Sequence, residues 1–289
     1  MSPDTQTHSL PVVRTIAELQ DRLAGWRAAG ARIGFVPTMG ALHNGHLSLV
    51  GLAAEHADKV VVSIFVNPAQ FAPHEDLDAY PRTEKEDAEK LAKHAADLIF
   101  APNAKEMYPE GDDLSVHVEG LSEGLESDTR PHFFGGVAAV VTKLFHAVEP
   151  DVAVFGEKDY QQLLVVKKLV SDLGLAIEIV AGPTGREADG LAMSSRNAYL
   201  SANERKQAPQ LFAAITEVAQ QIKDGASIAE ARDAGLAILQ DAGFDPIDYL
   251  EVRDAESLAP IDAVVRPARV LVAAKLGTTR LIDNIALEV

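Results

Sequence analysis

Up to about residue 180, short apolar runs alternate with helical stripes. Arg32–Pro37 (RIGFVP), Val60–Val66 (VVVSIFV), Leu98–Ala101 (LIFA), Val152–Phe155 (VAVF) and Ile177–Val180 (IEIV) predict buried strands. Between them, Thr83-Glu84-Lys85-Glu86 has the capping-box pattern, and Ala88, Leu91, Ala92 and Ala95 follow as one apolar stripe. Gly136–Val148 and Tyr160–Leu173 predict further helices, the second with Leu163, Val166, Val170 and Leu173 on one face. Strands alternating with helices imply a parallel sheet covered on both faces, with ligands at the carboxyl ends of its strands.

After about Thr184 the pattern changes. Ser201-Ala202-Asn203-Glu204 is a second capping box, predicting a helix to about Lys223, and Ser227–Glu230 opens another to about Ala242. Tyr249–Val252, Val270–Ala274 and Leu281–Leu287 read as strands, with a turn at Gly277-Thr278-Thr279. The fold class expected is α/β: a Rossmann-like parallel-sheet nucleotide-binding domain over 1–184, then a smaller C-terminal α+β domain over 185–289. The junction falls near Pro183–Gly185.

Composition narrows the function. The chain has 289 residues, 47% hydrophobic and 24% charged, which suits a packed globular protein. Asp+Glu number 43 against 26 Lys+Arg, a net charge of -17, so a general nucleic-acid binder with a basic face is excluded. There is no cysteine, which removes disulfides, thiol nucleophiles, zinc-thiolate sites and iron–sulfur clusters together. The apolar runs fall far short of a membrane span, and Met1–Leu10 is polar without a basic-then-apolar signal pattern. These features predict a soluble intracellular protein.

Five segments carry chemistry. Pro37-Thr38-Met39-Gly40-Ala41-Leu42-His43-Asn44-Gly45-His46 runs from the first strand into a helical stretch. A helix N-terminus there offers free N–H groups to an anion, and His43 and His46, three apart, face the same way. A bare HxxH is equally a capped helix with two surface histidines; the strand–Gly–HxGH–helix context favours a polyphosphate contact. In the second segment, Ser63–Phe71, Asn67 and Gln70 are amides able to read a hydroxyl or carboxylate. In the third, Asp128–Gly136, Arg130 can pair a carboxylate. In the fourth, Gly156-Glu157-Lys158-Asp159-Tyr160-Gln161-Gln162, Lys158 offers a point charge to phosphate, Asp159 an acceptor to ribose, and Gln162 a polar contact. The fifth, Arg186–Asn197, ends in Met193-Ser194-Ser195-Arg196, two hydroxyls and a guanidinium suited to phosphate. No P-loop, GxGxxG or GxSxG is present.

Taken in this order, PTMGALHxGH, SIFVNPxQF, DxYPRT, FGEKDYQQL and READGLAMSSRNxYL resemble the pantoate–β-alanine ligase family from about Val12 to the C-terminus. The HxGH segment is similar to the HIGH motif of the nucleotidyltransferase superfamily. One segment departs: where the family reads RPxHFxGV, this chain has Phe133 at the histidine position and His132 one earlier. The resemblance implies a cytoplasmic homodimer that forms pantoyl adenylate from ATP and pantoate, then transfers the acyl group to β-alanine. It implies that Pro37, Thr38, Met39 and Gly40 line the nucleotide and that Gly156 and Asp159 lie near its ribose. His43, His46, Lys158 and Arg196 would be catalytic, acting on the phosphates with Met193, Ser194 and Ser195. Gln70 and Gln162 would hold pantoate, Asn67 would help place β-alanine, and Arg130 would contact one of these two substrates. Mg²⁺ would neutralise further charge, with Glu86 and Asp87 as candidate ligands that equally suit a solvated helix face. Two rivals stay open at this point. One is another adenylate-forming enzyme of the superfamily acting on a different acid; the other is a nucleotide-binding regulatory module without catalysis.

Overall fold

The apolar run at Arg32–Pro37 becomes the strand about which the strand order of the main sheet turns. The computed structural model describes residues 10–72 and 75–288, so the polar N-terminal stretch lies, apart from Leu10, outside them. In chain order the elements of the first part are β1 (Val12–Val13), α1 (Ile16–Ala28), β2 (Ile33–Thr38), α2 (Asn44–His56) and β3 (Lys59–Ile64). Then come α3 (Glu84–Leu91), β4 (Leu98–Phe100), α4 (Ala104–Met107), α5 (Glu126–Thr129), α6 (Phe133–Val148), β5 (Val152–Gly156), α7 (Tyr160–Asp172) and β6 (Glu178–Gly182). The sheet runs β1-β4-β3-β2-β5-β6, and the β1/β4, β4/β3, β3/β2 and β2/β5 pairs are parallel. The order reverses between β2 and β5, the switch point at which such sheets bind ligands. The five expected strands are all present within a residue or two. One face of β2–β4 buries Val36, Val60, Val62 and Ile99 against Leu47, Val50 and Ala53 of α2. On the other face Phe35 and Phe155 meet Phe145 of α6 edge to face, at 6.4 and 6.3 Å.

The second part is α8 (Ala202–Gln207), α9 (Gln210–Lys223), α10 (Ile228–Asp241) and an antiparallel sheet of β7 (Phe244–Asp254), β8 (Ala268–Leu276) and β9 (Thr279–Leu287). Val270, Val272 and Ala274 of β8 pack with Leu211, Ile215 and Val218 of α9. On the opposite face, Leu271 joins Leu125, Leu258, Tyr160 and Leu164. The described residues form two compact units, one within 1–116, 135–155 and 170–182, the other within 117–134, 156–169 and 183–289.

Four expectations are corrected. The helix predicted from Ser201 to Lys223 is two helices, because Pro209 lacks the N–H that would continue the ladder. The capping box at Thr83 does not form: its hydroxyl donates to Asp87 at 3.1 Å. The stripe reaching Ala95 stops early, since α3 ends at Leu91. Leu173 lies beyond the end of α7 and is 48% exposed, unlike buried Leu163, Val166 and Val170. A fifth point is an omission: Thr15-Ile16-Ala17-Glu18 is a capping box that opens α1.

Candidate active site

In the first unit, the segment after β2 is shaped before the helix begins. Thr38 ends β2 and donates its hydroxyl to the Ser63 carbonyl of β3 at 2.7 Å, while the Gly40 N–H donates back to Thr38 Oγ1 at 3.2 Å. The chain then turns through two left-handed residues, Gly40 (φ 82°) and Ala41 (φ 50°). A Cβ at Gly40 would crowd Ile64 and Asp87, at 3.1 and 3.2 Å. The turn is latched by Asp87 of α3, which is fully buried: its two oxygens accept the N–H groups of Ala41 and Leu42, both at 2.8 Å. Lys90, one turn on, donates to the Leu42 carbonyl at 2.6 Å.

His43 then caps α2 and His46 occupies its first turn, as the spacing predicts. The rings lie 4.1 Å apart at 37°. The His43 backbone N–H donates to Nδ1 of His46 at 3.3 Å. A neutral His46 therefore carries its proton on Nε2, which makes that nitrogen a hydrogen-bond donor.

Gln70 ends a short 3₁₀ turn (Pro68–Gln70) that Asn67 caps. Asn67 is 1% exposed and its amide is committed on both sides. Its Oδ1 accepts from the Ala69 N–H (3.2 Å) and the Tyr108 hydroxyl (2.7 Å). Its Nδ2 donates to the Gly136 carbonyl (3.1 Å) and to Gln70 Oε1 (3.2 Å). Backbone groups can only donate or only accept, so this orientation is fixed, and with it that of Gln70, whose Nε2 donates to the Met39 sulfur at 2.9 Å. In this structure the Asn67 amide is engaged within the protein, where it is the strut that aims Gln70. A Cβ at Gly136 would overlap the Ala69 carbonyl, so glycine is required there. Burial, then the charge of Asp112, push the Tyr108 hydroxyl up to about 12 against the opposing bond to Asn67, so it stays a donor.

The two candidate Mg²⁺ ligands stand in different surroundings. Asp87 is buried with both oxygens on backbone N–H groups, whereas Glu86 is exposed. No group of three or more potential metal ligands occurs among the described residues. The described residues thus form no closed protein cage for the ion; Glu86 and Asp87 could hold it only together with substrate phosphates and water.

In the second unit, Lys158 lies on a 3₁₀ turn (Glu157–Asp159) directly after β5, and its ammonium is 3.9 Å from Asp159. The turn is gripped from the antiparallel sheet. Asn284 Nδ2 donates to the carbonyls of Glu157 and Lys158, at 2.9 and 2.8 Å. Arg269 donates to Asn284 Oδ1 (2.6 Å) and to the Glu157 carboxylate (3.0 Å), with its guanidinium 3.9 Å from the Tyr160 ring. The two glutamines of α7 diverge. Buried Gln161 donates to the carbonyls of Leu121, Glu123 and Gly124 and accepts from the Glu126 N–H, while Gln162 is half-buried.

The Arg186–Asn197 segment closes on itself through an antiparallel bridge between Arg186 and Ala192. Arg186 makes a two-pronged bond to Asp283 of β9 (2.6 and 2.9 Å), and Asn197 donates to the Ala192 carbonyl at 3.0 Å. Ser194 caps the following 3₁₀ turn, accepting from the Arg196 N–H at 3.3 Å.

Arg130 pairs a carboxylate, as its type suggests, but that carboxylate is Glu126 of the same chain at 3.6 Å, and the guanidinium stacks 3.9 Å over Phe133. The aromatic ring at the family's histidine position therefore serves as a platform for Arg130. Glu126 also takes both guanidinium nitrogens of Arg280 (2.8 Å each) and the Tyr249 hydroxyl (2.7 Å). Burial pushes its carboxyl up, but the hydrogen bonds and charge of Arg280, with Tyr249 and Arg130, outweigh it and hold the group below its ordinary value.

A sequence profile described as pantoate-beta-alanine ligase matches residues 11–286 of this chain. The chain belongs to that ligase family. It is 55% identical over 278 residues to a pantothenate synthetase of Caulobacter vibrioides, covering 95% of this chain and 98% of the relative. A pantothenate synthetase of Rhodopseudomonas palustris is 57% identical over 277 residues, covering 95% and 98%. Among solved structures, a pantothenate synthetase of Thermus thermophilus superposes with a TM-score of 0.91 at 48% identity, covering 96% of this chain and all of that one. The pantoate-β-alanine ligase of Francisella tularensis, solved with β-γ ATP and β-alanine, gives 0.80 at 32% identity, covering 96% and 97%. Among the described residues no helix is long and apolar enough to cross a membrane.

The sequence alone pointed to the five segments but missed the residues that hold them. In the sequence Asp87 reads only as a candidate metal ligand, and Lys90, Tyr108, Glu126, Arg269, Asp283 and Asn284 belong to no motif. Most of the contacts by which they hold those segments span 41 to 127 positions, beyond any local pattern.

Proposed function

We propose that this ligase makes pantothenate in two steps, through an acyl adenylate. A pantoate carboxylate oxygen attacks the α-phosphorus of ATP in line, and the bond from that phosphorus to the bridging oxygen breaks, releasing pyrophosphate. The neutral amine of β-alanine then attacks the acyl carbon, the bond to AMP breaks, and the amine loses a proton. Charge grows on the leaving pyrophosphate, so donors aimed at it lower the barrier most. His43, His46, Lys158, Ser194, Ser195 and Arg196 are assigned that task. Asp159 and Gly156 take the ribose, and Thr38–Gly40 border the nucleotide. Gln70, whose orientation makes it an N–H donor, and Gln162 hold pantoate. Mg²⁺ comes as the counter-ion of ATP, and no step is assigned to it.

The observation that carries the reading is the imidazole pair at the start of α2, where the His43 N–H leaves His46 with its proton on Nε2. A donor at a helix N-terminus, just past the strand where the sheet order reverses, suits a polyphosphate. The Francisella tularensis relative, solved with β-γ ATP and β-alanine, supports the choice of substrates.

Exchange of labelled pyrophosphate into ATP tests it. Exchange should require pantoate and proceed without β-alanine. His43→Ala and Lys158→Ala should each slow it roughly 10²–10³-fold, the scale of one lost transition-state donor. Pantothenate formation without any exchange would remove the adenylate step, and unchanged rates in both variants would remove the residue roles.

A further inference from the structure

Two neighbouring residues of β9 hold the two segments that the second unit contributes to phosphate binding. Adjacent residues of a strand point to opposite faces of the sheet. Asn284 pairs across from Leu271, on the face that packs with Tyr160, and Asp283 pairs across from Val272, on the face that packs with α9. From the first face, Asn284 grips both carbonyls of the Glu157–Lys158 step. From the second, Asp283 grips Arg186 at the root of the loop that ends in Ser194–Arg196. The two are themselves joined: the Asn284 N–H donates to Asp283 Oδ1 at 2.7 Å. Both are 3% exposed.

We propose that the Asp283–Asn284 step is a positioning device that sets Lys158 and the Ser194–Arg196 segment in one fixed register for the adenylation step. The orientation of Asn284 admits no alternative. Carbonyl oxygens only accept and the Arg269 Nε–H only donates, so Nδ2 must face Glu157 and Lys158 while Oδ1 faces Arg269. Arg269 closes the clamp by also binding the Glu157 carboxylate. A 3₁₀ turn of three residues has little rigidity of its own, and an ammonium on a flexible stem reaches a phosphate reproducibly only if its backbone is fixed. Neither residue touches substrate in this scheme; each acts through another group.

This inference rests on the roles given above to Lys158 and Arg196, and the experiment separates the two. Pantoate-dependent pyrophosphate exchange is measured for the full chain as wild type, Asn284→Ala, Lys158→Ala and the double variant. Asn284→Ala should lower kcat roughly 10- to 100-fold, the effect of a displacement of about 1 Å. Its thermal midpoint should stay within about 5 °C of wild type. In the Lys158→Ala background the same change should alter kcat by less than about twofold, because the group it positions is gone. A merely structural residue would give losses that multiply in the double variant, and that result overturns the proposal. Asn284→Asp keeps the shape but cannot donate; wild-type kcat in that variant overturns the proposal even if Asn284→Ala fails to fold. Asp283→Asn combined with Arg196→Ala should show the same non-additivity. Absence of exchange in the wild type would instead remove the adenylation reading itself.

Discussion

The two units hold their functional loops by different means. In the first, a buried carboxylate is matched to backbone N–H groups: Asp87 takes those of Ala41 and Leu42, and neutral amides and a phenol fix Gln70. In the second, carboxylates are matched to guanidinium groups: buried Asp283 to Arg186, buried Glu126 to Arg280 and Arg130, and part-exposed Glu157 to Arg269. A parallel sheet already delivers its loops to one edge, so a few short bonds finish the shape. The antiparallel sheet of the second unit has no such edge rule, and long side chains must reach from its strands to segments far away in sequence. The first arrangement depends on backbone geometry, the second on paired charge.

That contrast can be broken at its strongest point first. Replacing Glu126 with Gln removes the acid shared by Arg280, Arg130 and Tyr249. Losing one partner of a buried ion pair costs about 3–5 kcal/mol, which urea unfolding at pH 7 should register. The acid limb carries the sign. The folded carboxyl lies below its ordinary value of 4.5. Its contribution is therefore complete above about that pH and is lost as pH falls through the lower folded value. Wild type should lose this part of its stability on acidification, and Glu126→Gln should have none of it to lose. Parallel acid limbs in the two proteins would show that the pair contributes nothing.

The next effect should come from the first unit. Asp87→Ala leaves two N–H groups without their acceptor, at about 1–3 kcal/mol each where they stay buried. The KM for ATP should rise as the turn before His43 loosens. An unchanged KM with lowered stability would make Asp87 a purely structural residue. Tyr108→Phe should have the smallest effect: about 1 kcal/mol of stability for one hydrogen bond, and a rise of a few-fold in the KM for pantoate with that for ATP unmoved. Equal shifts in both would sever the link from Tyr108 through Asn67 to Gln70.

What could be read from the sequence followed the range of the physics. Ser201 and Ser227 cap their helices as their spacing predicts, because a capping box involves only four residues. Thr83 has the same pattern and fails, because Asp87, one turn away and fully buried, competes for its hydroxyl. Pro209 is the local signal that divides the stretch from Ser201 to Lys223 into two helices. The strands and the HxGH segment were legible, since an apolar run followed directly by glycine and histidine is a local signal. The contacts of Asn67 and Asp87 were not, because each depends on a partner brought close only by the fold: Tyr108, and the Ala41–Leu42 amides. Those of Arg130, with Glu126 and the Phe133 ring, lie within four positions of it.

The carboxylate under the turn after β2 has one more result. Paired amide groups at such a bend ordinarily draw in whatever anion is at hand, and the bend firms up around its guest. Here the guest is a side chain of the same molecule, permanently in place. The loop is thus ready-made before any nucleotide arrives, and none of the binding free energy goes into folding it.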